Sequence, residues 1–167
     1  VVNMMDEGVD VAVRIGELPD SSLQAIRVGR VRRVICAAPS YLKEHGIPQN
    51  PDALTAHQIV SASAVTPTPE WRIEENGEPR IVKVRPRMIT TTNDSAVVAA
   101  VEGFGLTRLL SYQVADQLRD GRLKTVLSEF EPARCRCIWC IGRVGTPPRR
   151  RARFWIWRSS GCGPIRR

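Results

Sequence analysis

The residues that could carry reaction chemistry are few, and each lacks its usual companions. Ser40-Tyr41-Leu42-Lys43 has the S-x-x-K spacing of serine acyl-enzymes, in which a lysine one helical turn on can serve the hydroxyl. The companion motifs of that chemistry are missing, so Ser40 reads as part of a helix start and Lys43 as an exposed side chain. His45 and His57 stand beside short helices, with no Ser, Cys or carboxylate constellation around either. Both read as structural or exposed. Cys135, Cys137 and Cys140 bring three thiols close together, but zinc usually takes four ligands and no second paired set follows. Gly103-Phe104-Gly105 lacks the third glycine and the strand-to-helix setting of a dinucleotide fingerprint. Asn93-Asp94-Ser95 is formally a glycosylation sequon. We therefore expect no catalytic residue, no metal and no cofactor: the chain reads as a binding protein, not an enzyme.

Composition bounds the rest. The chain has 167 residues, 43% hydrophobic and 25% charged, which is globular composition with room for one domain and part of another. No apolar run reaches the roughly 20 residues of a membrane helix, and the acidic start, Val1 to Glu7, lacks the order of a signal peptide. A cytoplasmic location is the expectation. The net charge of +8 is a property of one end. Residues 1–132 carry 15 Lys and Arg against 17 Asp and Glu, net −2, whereas residues 133–167 carry 10 Arg and no acid.

The body alternates strand and helix signals. Asp10 to Gly16 is a short apolar run that reads as a buried strand. Leu23 to Ala38 is β-rich and broken at Gly29, with Val34 to Ala38 central. Pro39 to Gly46 has the proline-first, glycine-after pattern of a short helix, and Pro51 to His57 reads as a second one. Gln58 to Ser63 is a strand. Trp71 to Glu75, Asn76-Gly77, and Glu78 to Val84 form the clearest hairpin, since Asn-Gly supplies the positive φ angles of a two-residue turn. Met88 to Thr92 is a further strand. Asn93-Asp94-Ser95 caps a helix whose Ala96, Val97, Ala100 and Val101 share a face. Leu106 to Leu110 and Arg122 to Leu127 are strands, with a helix opened by Ser111 between them. This pattern indicates an α/β domain.

In that order and spacing, Asp10–Gly16, Ala38-Pro39-Ser40-Tyr41-Leu42, and Gly103-Phe104-Gly105 followed by Leu109 to Gln113 resemble the effector-binding domain of LysR-type transcriptional regulators. The resemblance covers about residues 5–132, and Leu110 stands where that family usually has Pro. It implies an α/β, periplasmic-binding-protein-like (type 2) fold of two subdomains joined by two crossovers, with a small effector between them. It also implies homo-oligomers that reach DNA through an N-terminal helix-turn-helix. That domain is not in this chain, so no residue here is assigned to DNA. Residues 1–38 would be a remnant of the first subdomain and residues 39–142 the second, largely complete.

Residues 143–167 form an Arg- and Trp-rich tail expected to be disordered or non-native. The 35 residues from Ala133 contain no Leu, Lys, Asp or Glu, but hold four of the five Cys and three of the four Trp. Read one base out of frame, Trp139 with Cys140 must encode Val, Phe154 with Trp155 Leu, and Trp155 with Ile156 Asp. The surrounding codons then allow an alternating strand, a basic turn and an amphipathic helix, resembling the end of the same family. The expectation is a frame change near Ala133.

In open α/β sheets, ligands sit outside the C-terminal strand ends. There, Ser61 and Ser63 end one strand, while Thr92 and Asn93 begin a helix with free N–H groups and a positive dipole end. We expect Ser61, Ser63, Thr92 and Asn93 to hold a small effector, an anion among the candidates, with Arg14, Gly16 and Gly105 nearby. The competing reading is that Thr92 and Asn93 only cap a helix. Two other classes remain: a stand-alone solute-binding protein of the same fold, and a cationic protein acting on nucleic acid or membranes through its tail.

Overall fold

The computed structural model describes residues 11–15, 24–62, 70–132, 136–142 and 154–157. The chain divides into two compact units, 1–31 with 136–167, and 32–135. The divisions fall at 31/32 and 135/136, where the sequence reading placed them at 38 and 142. The reason is strand pairing. The apolar run at 33–37 joins the second unit's sheet, and the stretch 136–142 joins the first's.

In the first unit, β1 (Val11–Ile15) and β2 (Gln24–Val31) are followed much later in the chain by two further strands, Arg136–Gly142 and Phe154–Trp157. Arg136–Gly142 lies between β1 and β2, antiparallel to both, and Phe154–Trp157 pairs parallel with β1 on its other side. The strand Phe154–Trp157 lies within the tail that the sequence reading expects to be disordered or non-native. β2 runs straight through Gly29 instead of breaking there. Ile138 faces Gly29 and Trp139 faces Arg27, so Val28 is the extra residue of a bulge. The break comes at Arg32, where the chain changes sheet.

The second unit is built on β3 (Arg33–Ala37), β4 (Ile59–Ala62), the hairpin β5 (Glu70–Glu75) and β6 (Glu78–Lys83), β7 (Pro86–Thr90), β8 (Leu106–Leu110) and β9 (Lys124–Val126). Its five-stranded sheet has the order β7-β4-β8-β3-β9. β4 is parallel to β7 and β8, whereas β3 is antiparallel to β8 and β9.

Both faces of this sheet are covered, which is why its strands read as continuous apolar runs. Side chains alternate between faces with period two. Ile35, Ala37, Ile59 and Leu106 enter one core with Tyr41, Leu42, Leu54 and the hairpin's Trp71, Ile73 and Val82. Val34, Cys36, Val60 and Leu109 enter the other, against Ala96, Val97, Ala100, Val114 and Leu123. Each fully buried aliphatic side chain contributes about 2 kcal/mol.

Local signals account for the covering elements. α1 (Pro39–His45) starts on Pro39 and is stopped by Gly46 at φ 84°. Pro51–Ala56 is a 3₁₀ turn rather than an α-helix, capped by the Asn50 side chain accepting from Ala53 N–H at 3.0 Å. The hairpin turn has φ of 53° at Asn76 and 82° at Gly77, as a type I′ turn requires. α2 (Asn93–Val101) buries Ala96, Val97, Ala99 and Ala100; its cap is Thr92, one residue before the expected start. The segment after β8 is a 3₁₀ turn, Ser111–Gln113, and a short α3 (Ala115–Arg119). Leu110 N–H donates to Gln113 Oε1 at 3.0 Å, a bond the proline usual in the resembling family could not make.

Gly105 marks the closest backbone approach. Its φ is 142°, and a Cβ there would lie 2.3 Å from the Gln58 carbonyl oxygen. Gly105→Ala should therefore lower stability by about 3 kcal/mol, read as a reduced urea midpoint at unchanged slope. Gly121 also has positive φ, 72°, but open space around it. Gly121→Ala should cost only about 1 kcal/mol.

Candidate functional site

The parallel run of β7, β4 and β8 sends their C-terminal ends to one edge of the sheet. β3 is antiparallel, so its first residue, Arg33, arrives at that same edge opposite Leu110. The chain leaving β7 turns through Thr92 into α2. Arg33, Val60, Ser61, Ala62, Asn93, Arg108 and Leu109 line a shallow depression there, with Trp71 of β5 beside it. Two guanidinium groups, one hydroxyl and one amide thus share an opening that no acidic residue lines among the described residues. Such donors suit a carboxylate or another small anion.

The helix end is well made. Thr92 Oγ1 accepts from Ser95 N–H at 3.1 Å, and Thr90 Oγ1 donates to the Thr92 carbonyl at 2.9 Å. Asn93 is the first helical residue, with its N–H free of any intrahelical carbonyl. Its side-chain Oδ1 is shut from solvent and has no hydrogen-bond partner among the described residues. Arg108 is positioned by the hairpin, donating from Nη2 to the Arg72 carbonyl.

Of the residues singled out from sequence, Ser61 and Asn93 come together in this depression. Thr92 is exposed beside it, with its hydroxyl committed to the cap. Gly105 is at the N-terminal end of β8, packed on Gln58, so it lies at the opposite edge from Ser61; its glycine serves chain packing. Arg14 is on β1 with only its backbone described, and Gly16 and Ser63 lie outside the described residues. Arg33, Arg108 and Trp71 were not anticipated. Their signal is a charged residue set in an apolar strand run, in Arg33-Val34-Ile35-Cys36 and in Leu106-Thr107-Arg108-Leu109.

Elsewhere in the second unit the reactive side chains are occupied or inert. Cys36 is fully buried, and burial pushes its thiol up to about 12, far from a reactive thiolate. His45 stacks on Tyr41, with centroids 4.3 Å apart. The Tyr41 hydroxyl accepts from Gln58 N–H at 2.9 Å and lies 3.1 Å from His57 Nδ1, so its proton is available to a neutral His57. Among the described residues no cluster of His, Cys, Asp and Glu could hold a metal, and no helix is long and apolar enough to cross a membrane.

This mixed sheet, covered on both faces, is the α/β fold of LysR regulatory domains, which are of the periplasmic-binding-protein-like type 2 class. The chain matches the LysR substrate binding domain family over residues 1–157 and belongs to it. The HTH-type transcriptional regulator CrgA of Neisseria meningitidis is 29% identical over 129 residues, which are 77% of this chain and 42% of that protein. The HTH-type transcriptional activator AaeR of Escherichia coli is 30% identical over 131 residues, again 77% and 42%. The regulatory domain of AphB from Vibrio vulnificus superposes with a TM-score of 0.70 at 26% identity, over 81% of this chain and 66% of that one. The chain spans less than half the length of these curated relatives. The relatives regulate transcription, and this is a regulatory domain rather than an enzyme.

One pH dependence follows. Burial first, and then the charge of His45, hold His57 below its usual 6.5. The folded state thus disfavours the protonated ring. The stability His57 contributes is complete above pH 6.5 and is lost as pH falls through the depressed folded value. Between about pH 7.5 and about pH 5.5, the melting temperature of the wild-type chain should fall more than that of His57→Gln.

Proposed function

We propose that the chain is the effector-binding part of a LysR-type transcriptional regulator, and that the edge of its second unit takes a small anionic effector. The observation that carries this reading is the convergence of Arg33, Arg108, Ser61 and Asn93 in one depression. The guanidiniums supply charge and paired N–H donors, Ser61 a hydroxyl, and Asn93 an amide and the first free N–H of α2. In this reading Thr92 stays with the site, as the sequence suggests.

The regulator would work by population shift. An effector that binds one conformation more tightly raises the population of that conformation, and the homo-oligomer passes the shift to DNA held by an N-terminal domain. Such a protein works in the cytoplasm.

Calorimetric titration of the chain with acetate, benzoate and succinate tests the site. At least one carboxylate should bind, and Asn93→Ala, Ser61→Ala and Arg108→Gln should each weaken it, with Arg108→Gln costing about tenfold or more. Equal affinity in all three variants, each shown folded by its melting curve, would remove the anion from this depression.

A further inference from the structure

The chain passes from one unit to the other twice, and one side chain from beside each passage meets the other. Arg32 is the first residue of the second unit, directly after the crossing at 31/32. Glu131 follows the 3₁₀ turn Ser128–Phe130, shortly before the return crossing at 135/136. Their charged ends form an ion pair, Arg32 Nη1 to Glu131 Oε2, at 3.1 Å. The backbone of Arg32 is fixed as well. Its N–H donates to Ser111 Oγ at 3.3 Å and its carbonyl accepts from Ser111 N–H at 2.9 Å. The chain at Arg32 is therefore anchored to the end of β8, and the segment at Glu131 is tied to it through the side chains.

The burial of this pair is lopsided. The Arg32 side chain is 57% exposed, but that of Glu131 only 9%. Glu131 Oε1 is shut from solvent with no hydrogen-bond partner among the described residues. A half-satisfied, nearly buried carboxylate is a poor way to stabilise a fold, because desolvation offsets the attraction. The protonation equilibrium agrees: burial raises the Glu131 carboxyl, and Arg32 opposes this only in part. The neighbouring Phe130 already packs against the core, so the turn does not need the charge to stay seated.

We propose that the Arg32–Glu131 ion pair is a clasp within the second unit that holds the segment at residues 130–132 to the segment at residues 31–34 and sets how readily the two open. This holds whether or not the edge depression binds an anion.

Amide hydrogen exchange on the full chain tests it, with the buried strands β4 and β8 as an internal measure of folding. Arg32→Gln and Glu131→Gln should each speed exchange in residues 31–34 and 130–132 by about three- to tenfold, leaving β4 and β8 protected. The double variant should be no faster than either single one, since both remove one interaction. Arg32→Lys, which keeps the charge, should restore most of the protection. Glu131→Gln should leave the melting temperature at neutral pH unchanged or raised. Unchanged exchange at both passages would overturn the proposal. So would additive effects in the double variant, or a lowered melting temperature with exchange rising throughout the second unit.

Discussion

The second unit depends on one backbone contact. Leu106 N–H donates to the Gln58 carbonyl at 2.8 Å, and Gly105 lets the two chains come that close. This bond begins the parallel pairing of β4 with β8 and sets Ile59 against Leu106 and Val60 against Thr107. A side chain at 105 would force the strands apart or shift their register, and a shift of one residue turns every side chain to the opposite face. With the register fixed, Ile59 and Leu106 enter one core while Val60 enters the other. The same register carries Ser61 and Arg108 to the far edge, where Asn93 and Arg33 arrive from other elements. Chemistry at one edge of the sheet is thus positioned from the other.

Packing then makes that edge rigid. The hairpin covers one face with Trp71, Ile73 and Val82, and α2 covers the other with Ala96, Val97 and Ala100. The small side chains of α2 let it lie close to the sheet, so its capped N-terminus ends beside Ser61. Arg80 strengthens the hairpin's outer side by pairing with Glu75 at 2.6 Å and Asp52 at 2.5 Å. Those pairs are partly exposed, so solvent screens them. The buried faces do most of the stabilising.

Much of this was legible in the sequence, because local chemistry decided it. Asn76-Gly77 dictates its turn, Pro39 and Gly46 bound α1, and the apolar run Val34 to Ala38 is buried as its composition requires. The misses have physical causes. Pro51 to Ala56 carries helix signals but pairs as a 3₁₀ turn. Thr92 rather than Asn93 caps α2, since either side chain can accept from the first turn and only the entry geometry chooses between them. The unit boundary at Arg32 is a matter of which strand finds which partner, a long-range property that residue types do not encode. Of the site, Ser61 and Asn93 were readable as strand-end and helix-start residues. Arg33 and Arg108 were not, because they meet only through the antiparallel pairing of β3 with β8.

The most direct test is an amide chemical-shift map of the isotope-labelled chain, recorded while benzoate or succinate is added. The account predicts saturable shifts centred on Ser61, Ala62, Asn93, Arg108 and Leu109, with the N-terminal end of β8 around Gly105 unmoved. Saturable shifts gathered elsewhere, or a spectrum that no small anion perturbs at that edge, would contradict it.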